Sequence, residues 1–412
     1  MDTPVTIIGA GIVGICCALS LQERGIPVRI LDRGEPGQET SFGNAGVISP
    51  WSIIPQAVPG IWKKIPGMLL DPDGPLSVHP TFWPRLIPWG LRFLGQSSEK
   101  SLRANADAME ILCAPSIDLF RRHLSGTGSE DLISDSYYVH AFRHAGKASL
   151  DAIDYRIRQE KGGQLDLIGA AELQKLEPAL SRDFKAAILI RGQARARSPG
   201  QIGRVLAQKA KDNGAEFHRT ELTALRRGRS GIWNLMTNTQ DFEAQKVILA
   251  AGIWSADVLK PLGLKLPLVA ERGYHVQFPN SGLVLHNSVM DVDAKIVASS
   301  MLEGLRVAGS SELSHPDAPP DPRKQALLTK QARALCPDLD TTDASFWMGR
   351  RPSFPDSLPV LGPIDGQDGL FGAFGHSHYG LMMAPKTGEI LADLVLRKPL
   401  NINLTPFSGS RF

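Results

Sequence analysis

An α/β fold built on a dinucleotide-binding unit is what this chain predicts, on three observations. A glycine triplet joins an apolar strand to an apolar helix, in Val5-Thr6-Ile7-Ile8-Gly9-Ala10-Gly11-Ile12-Val13-Gly14. Asp32 closes the next apolar run, 18 residues after Gly14. A later run, Val247-Ile248-Leu249-Ala250-Ala251-Gly252, ends in small residues that permit close backbone approach. Gly9 allows the tight turn, Gly11 lets the backbone approach a pyrophosphate, and Gly14 lets helix pack on strand. The helix N-terminus then presents free N–H groups and its positive dipole end to the phosphates. Asp32 is placed to accept from a ribose hydroxyl.

Composition sets the scale. The 412 residues exceed the roughly 250–300 that one core sustains, so two closely packed domains are expected. Lys and Arg number 45 against 42 Asp and Glu, which gives no reason to propose a nucleic-acid partner. Cys16, Cys17, Cys113 and Cys336 have neither metal-ligand spacing nor a pattern of pairs, which fits a reducing cytoplasm. Met1-Asp2-Thr3-Pro4 leads straight into the first strand, so no leader is expected, and no apolar run is long enough to span a bilayer.

Along the chain, the first strand–helix–strand unit is followed by a polar loop from Glu39 to Gly46. The stretch 51–95 is proline-rich and holds four of the seven tryptophans, Trp51, Trp62, Trp83 and Trp89, with Lys63, Lys64, Arg85 and Arg92. No clean amphipathic helix is read in it. It suits either a peripheral membrane contact, or a loop packed over the second domain or against another subunit. Helical periodicity covers 99–124. Ser198-Pro199 starts a helix that runs to Asn213, where Gly214 ends it. Strands are expected over 216–222 and 242–252, an antiparallel sheet over 264–311, a helix over 323–335 and a last helix from Thr387 to Leu396.

Two further segments are more specific: Met348-Gly349-Arg350-Arg351-Pro352-Ser353, continuing to Pro363, and Gly375-His376-Ser377-His378-Tyr379-Gly380-Leu381-Met382. With the loop Glu-Thr-Ser-Phe-Gly-Asn-Ala-Gly-Val-Ile-Ser-Pro at 39–50, the chain resembles the D-amino acid oxidase superfamily of FAD enzymes. It is most similar to the bacterial D-amino acid dehydrogenases, and Glu271-Arg272-Gly273-Tyr274-His275 looks like the hydroxyproline and opine branch.

The resemblance implies a Rossmann-like FAD-binding domain (1–52, 195–262 and 340–412) interleaved with a mixed-sheet substrate domain (53–194 and 263–339). It implies that Gly9, Gly11, Gly14, Asp32 and Arg33 hold the adenosine and pyrophosphate. Thr40, Ser41, Asn44, Ala45, Gly46 and Val47 would run beside the pyrophosphate, ribityl chain and flavin, with Leu222 at the adenine. Ala251, Gly252 and Trp254 continue the FAD site, and Gly375, His376, Gly380 and Leu381 form the flavin-side turn, whose N–H groups would stabilise the reduced ring. No cysteine stands in a C-terminal attachment position, so the FAD is expected to be noncovalent.

The implied reaction is oxidation of an amino acid, or of a secondary amine such as a D-hydroxyproline, by hydride transfer from Cα to flavin N5. The electron acceptor would be a quinone or a partner redox subunit, and the protein cytoplasmic or peripheral on the inner face of the membrane. The alternatives are the catalytic FAD subunit of a multi-subunit hydroxyproline or opine dehydrogenase, a noncatalytic FAD-binding assembly protein, and an NAD-dependent dehydrogenase.

Arg351 matches the family's carboxylate-binding arginine, and its planar guanidinium suits bidentate capture. Arg350 beside it does not align with the Arg-Pro pair. Tyr274 is read either as a substrate contact or as core packing. His376 is expected to orient its turn, whereas His378 lines the pocket or takes part in proton transfer. A metal is not expected, because the histidines lack a third ligand at matching spacing.

Overall fold

The computed structural model describes residues 3–412 and contains two large sheets and one small one. The first has six strands: β1 (Val5–Ile8), β2 (Val28–Asp32), β8 (Glu216–Arg219), β12 (Val247–Leu249), β18 (Val360–Pro363) and β19 (Leu370–Phe374). Their order is β18-β19-β12-β1-β2-β8, all parallel except β18. Parallel strands need both faces covered. Helices α1 (Ile12–Gln22), α8 (Pro199–Asp212) and α11 (Gly380–Val395) supply apolar cover, joined by α4 (Glu99–Cys113) and α5 (Ser116–Leu124). Cys16 and Cys17 are buried in this core on α1.

The largest sheet holds β3 (Val47–Ile48), β5 (Ile133–Phe142), β7 (Ala186–Ala196), β13 (Val269–Phe278), β14 (Ser288–Asp291), β15 (Ile296–Met301), β16 (Gly304–Leu313) and β17 (Ser345–Ser353). They run in the order β17-β13-β16-β15-β14-β5-β7-β3, with β4 (Leu76–Val78) beside β16 and β6 (Leu165–Gly169) beside β7. The β17 strand falls inside the segment 340–412 yet pairs with β13 in this sheet rather than with the six-stranded one. Residues of α7 (Ala170–Leu176) and α10 (Arg323–Leu335) share a core with this sheet. The remaining helices are α2 (Ile61–Leu70), α3 (Trp83–Gly95), α6 (Ile153–Glu160) and α9 (Ser255–Leu259). A three-stranded sheet, β9 (Leu222–Arg227), β10 (Trp233–Thr237) and β11 (Phe242–Ala244), packs beside the six-stranded one.

The structure corrects several boundaries. The strand expected over 216–222 divides at Thr220, whose N–H bonds to the Asp32 carbonyl while its hydroxyl bonds to Asn238, so β8 and β9 enter different sheets. The run 242–252 divides likewise at Gln245-Lys246. The last helix begins at Gly380, not Thr387, and carries Pro385 inside it. That proline lacks an N–H and so reads as a start signal in sequence, although here it only leaves one helical carbonyl without its donor.

The largest correction concerns 51–95. It forms two amphipathic helices, α2 and α3, in spite of Pro66 and Pro88. Of nine large apolar side chains left exposed among the described residues, Trp62, Leu70, Trp83, Ile87, Leu91 and Leu94 all lie on this stretch. No helix among the described residues is long and apolar enough to cross a membrane.

Candidate active site

One cavity of about 1550 Å³ runs from the glycine turn after β1 to the face of the larger sheet. At the first end, Gly9 has a φ of 109° and its missing side chain leaves room for the Ala250 carbonyl. A Cβ on Gly14 would strike the Gly9 carbonyl, so this glycine serves helix–strand packing and lies outside the cavity wall. A Cβ on Gly11 would have only the Ser41 hydroxyl nearby, 3.7 Å away, which leaves an open cradle at the start of α1. Ser41 accepts from the Ile12 N–H at 3.0 Å. The Asp32 carboxylate accepts from Ala10 N–H at 2.6 Å and Gly34 N–H at 2.7 Å, which fixes it at the cavity edge.

Arg33 stacks on Trp254 at 4.0 Å, and Leu222, Ala251 and Gly252 line the cavity beside them. Thr40 donates to the Arg350 carbonyl at 3.1 Å, while Asn44 accepts from Gly46 N–H at 2.8 Å and stabilises a turn where Gly46 has φ 82°. Ala45 and Val47 continue the lining. Gly375, His376, Gly380 and Leu381 line the facing wall, where no side chain caps the first turn of α11. A glycine cradle, an uncapped helix start and an edge carboxylate fit a dinucleotide.

The sequence reading missed Arg306. This buried arginine bonds the Phe42 and Asn44 carbonyls at 2.8 and 2.9 Å and Gln277 Oε1 at 2.7 Å, so it clamps the loop 42–46. Burial lowers its pKa to about 10, which leaves it charged at neutral pH. Only its arrangement in three dimensions distinguishes it from any other strand arginine.

The other end is built on the sheet. Pairing places Glu271 opposite Arg351 and Gly273 opposite Gly349 on β13 and β17. Alternation in a strand sends 271, 273 and 275 to one face. Glycine at 273 is required, because a Cβ there would overlap the Arg351 guanidinium. Gly273→Ala is therefore expected to displace Arg351 and raise the substrate KM while FAD content stays normal; an unchanged KM would contradict this.

Arg351 Nη1 bonds Glu271 Oε1 at 2.9 Å, and Ser311 stands 3.4 Å from the same nitrogen. Glu271 also accepts from Ser311 at 2.6 Å, Ser353 at 3.0 Å and Gln56 at 3.0 Å, so all four of its bonding positions are filled. Burial opposes its charge, but Arg351 and the surrounding donors outweigh burial and hold the carboxyl at about 2. The opposite edge of the guanidinium, Nε and Nη2, lies over Gly273 and has no protein partner among the described bonds, and Arg351 lines the cavity. Arg350 instead bonds the Pro316 carbonyl at 2.7 Å and stands 3.6 Å from Glu39, outside the cavity wall.

The aromatic candidates divide. His378 lines the cavity, and its Nδ1 meets the Gln56 amide at 3.2 Å. Burial lowers its pKa to about 4, so it is neutral at physiological pH. His376 bonds Thr387 at 3.0 Å and tethers its turn to α11. Tyr274, by contrast, stacks on Phe346 at 5.4 Å, and its hydroxyl bonds Glu312 and the Asp321 N–H. Its ring packs in the core and its hydroxyl is engaged by Glu312 and Asp321, while the residue also lines the cavity. No group of three or more metal-ligating side chains occurs among the described residues.

His275 and His376 are buried, and burial lowers both pKa values from 6.5 to about 3. A pKa lower in the folded state means the unfolded chain binds more protons between those limits. Stability should thus fall as pH drops from about 6.5 towards 3, by roughly 1.4 kcal/mol per pH unit for each histidine within the window. A melting temperature that is flat from pH 7 to pH 5 would contradict this.

The model of the family described as DAO, FAD dependent oxidoreductase, matches residues 4–394, and the chain belongs to that family. Its relatives include a D-amino-acid oxidase of Bradyrhizobium diazoefficiens, 34% identical over 99% of this chain and 98% of the relative. A D-amino acid dehydrogenase of Paramagnetospirillum magneticum is 31% identical, again over 99% of this chain and 98% of the relative. Among solved structures, glycine oxidase from Geobacillus kaustophilus superimposes with a TM-score of 0.77 at 24% identity, covering 100% of this chain and 99% of the other, which establishes the fold. The protein is thus an FAD-dependent oxidoreductase, and the NAD-dependent alternative is set aside.

Proposed function

We propose that the protein oxidises the Cα–N bond of a D-amino acid, or of a related secondary amine such as a D-hydroxyproline, with Arg351 holding the substrate carboxylate. The observation that carries this reading is a guanidinium in the cavity with one nitrogen fixed by Glu271 and its other edge free. A fork presented this way accepts a carboxylate by two parallel charge-assisted bonds. FAD, when bound, supplies the acceptor for the hydride that leaves Cα. The protein's own work is orientation: Arg351 fixes one end of the substrate, with Gly273 leaving room for its guanidinium and Gly349 for the neighbouring Trp347 ring. Neutral His378, whose Nδ1 accepts from the Gln56 amide and whose proton is therefore on Nε2, adds no positive charge beside the amine. The resulting imine is hydrolysed by water to the keto acid, with release of ammonia from a primary amine.

The FAD site on this reading comprises Gly9, Gly11, Asp32, Arg33, the loop 40–47, Leu222, Ala251, Gly252, Trp254 and the turn 375–381, with the FAD held noncovalently. No cysteine lines the cavity, which supports noncovalent binding. Acid precipitation should release all the yellow colour, and colour retained in the pellet would overturn the noncovalent assignment. The electron acceptor is proposed to be a membrane quinone or a redox subunit, reached through the apolar surface of α2 and α3, whose only charged side chains are Lys63, Lys64, Arg85 and Arg92. Flotation with anionic liposomes tests the membrane contact. Copurification with a small iron–sulfur or flavin subunit would instead favour the multi-subunit dehydrogenase. Incubation with D- and L-amino acids and D-hydroxyprolines, with assay for keto acid and ammonia, tests the reaction itself.

A further inference from the structure

The floor beside Arg351 changes character within two strands. Gly273 and Glu271 of β13 pair with Ser311 and Leu313 of β16, which pair in turn with Leu76 and Val78 of β4. Residues paired in register share a face of the sheet, and all six line the cavity. Arg351 lies over Gly273, and its Nη1 stands 3.4 Å from the Ser311 hydroxyl, which is already committed to Glu271 at 2.6 Å. Leu76 is therefore two strand spacings, about 10 Å, from the residue beneath the guanidinium. A carboxylate on the fork and one leucine-sized side chain fill that span together.

Helix α3 closes this end of the cavity. Leu86 and Trp89 pack in one cluster with Val269 and Leu313, and Trp89 stacks on Phe93 at 5.2 Å. Trp89 Nε1 donates to the Ser353 carbonyl at 3.3 Å, and the Ser353 hydroxyl bonds Glu271 at 3.0 Å, so the indole stands next to the clamp. Leu86, Trp89 and Phe93 line the cavity, and no side chain that β4 or α3 adds to the lining is charged. The apolar wall reaches the rim, because Ile87 and Leu94 line the cavity and are also exposed. Covering such a wall with apolar groups is favourable, whereas a charged group there gives up water for no counter-charge from β4 or α3. We infer that β4 and α3 form the side-chain subsite, so that the protein prefers D-amino acids with a bulky apolar side chain over small, polar or acidic ones and over hydroxyproline. This rests on the proposed oxidation with Arg351 holding the carboxylate, and names the substrate class within it.

Anaerobic reduction of the bound flavin is measured with D-alanine, D-norvaline and D-norleucine, with D-leucine against its isostere D-asparagine, and with cis-4-hydroxy-D-proline. The rate constant over KM should rise about fourfold per added methylene, mostly through KM. D-leucine should exceed both D-asparagine and hydroxyproline by about tenfold or more. Phe93→Asn and Leu76→Gln should each bring the ratio of D-leucine to D-asparagine close to one, with FAD content reporting that the variant folds. The two lie on separate elements, so a variant that does not fold leaves the other to decide. A flat series with D-leucine equal to D-asparagine, or fastest reduction by hydroxyproline, would overturn the subsite and leave the oxidation standing. A ratio unchanged in the folded variants would overturn the assignment to β4 and α3. A flavin reduced by none of these compounds would overturn the oxidation and the subsite together.

Discussion

Arg351→Met is expected to cost roughly 2–5 kcal/mol in anaerobic flavin reduction by an amino acid, the range for truncating one partner of a buried hydrogen-bonded charge pair. The substitution removes the fork that faces the cavity and strips Glu271 of its only bonded cation. Arg351→Lys keeps the charge but not the planar pair of donors, so it should fall between wild type and Arg351→Met. FAD content should be normal in both, because the proposed FAD site comprises other residues of the cavity. Arg350→Met is the control, since Arg350 is held by Pro316 and Glu39 away from the cavity. A crippled Arg350→Met beside two unimpaired Arg351 variants would reverse the assignment.

Arg306→Met should produce the second large effect, on cofactor retention. The guanidinium bonds two carbonyls of the loop 42–46, and neither has a compensating donor once it is gone. Hydrogen bonds from a charged donor contribute about 1.5–3 kcal/mol each. A loss on the order of 3 kcal/mol corresponds to FAD binding weakened by about a hundredfold, read by fluorescence of released FAD on dilution. Wild-type retention of FAD in Arg306→Met would show that the loop is held by other groups.

The nucleotide end of the molecule was legible because its constraints are local. Gly9, Gly11 and Gly14 act within one turn, and Asp32 follows at the end of the adjoining strand, so spacing alone describes the arrangement. The placement of Arg351 over Arg350 was legible from the Arg-Pro pair, and strand alternation explains it: neighbouring side chains point to opposite faces. The residues around Arg351 were not legible. Glu271, Ser311 and Ser353 meet through the pairing of β13 with β16 and β17, and Gln56 reaches them from the segment between β3 and α2. Arg306 was missed for the same reason. Prolines hid α2 and α3, since in sequence Pro66 and Pro88 look like breaks; α3 is held by Leu86 and Trp89, which pack in a cluster with Val269 and Leu313, whereas α2 buries none of its residues. Tyr274 shows the converse, because a tyrosine near a binding strand gains meaning only when its face of the sheet is known.

The most direct measurement is anaerobic mixing of the FAD-loaded protein with D-amino acids and with the amines formed by removing their carboxylates, followed at the flavin absorbance band. Bleaching by amino acids, little or none by the corresponding amines, and loss of that distinction in Arg351→Met is the result predicted for a carboxylate clamp in the cavity. A flavin that no amino acid reduces, or one reduced equally well by amines that lack the carboxylate, would contradict it.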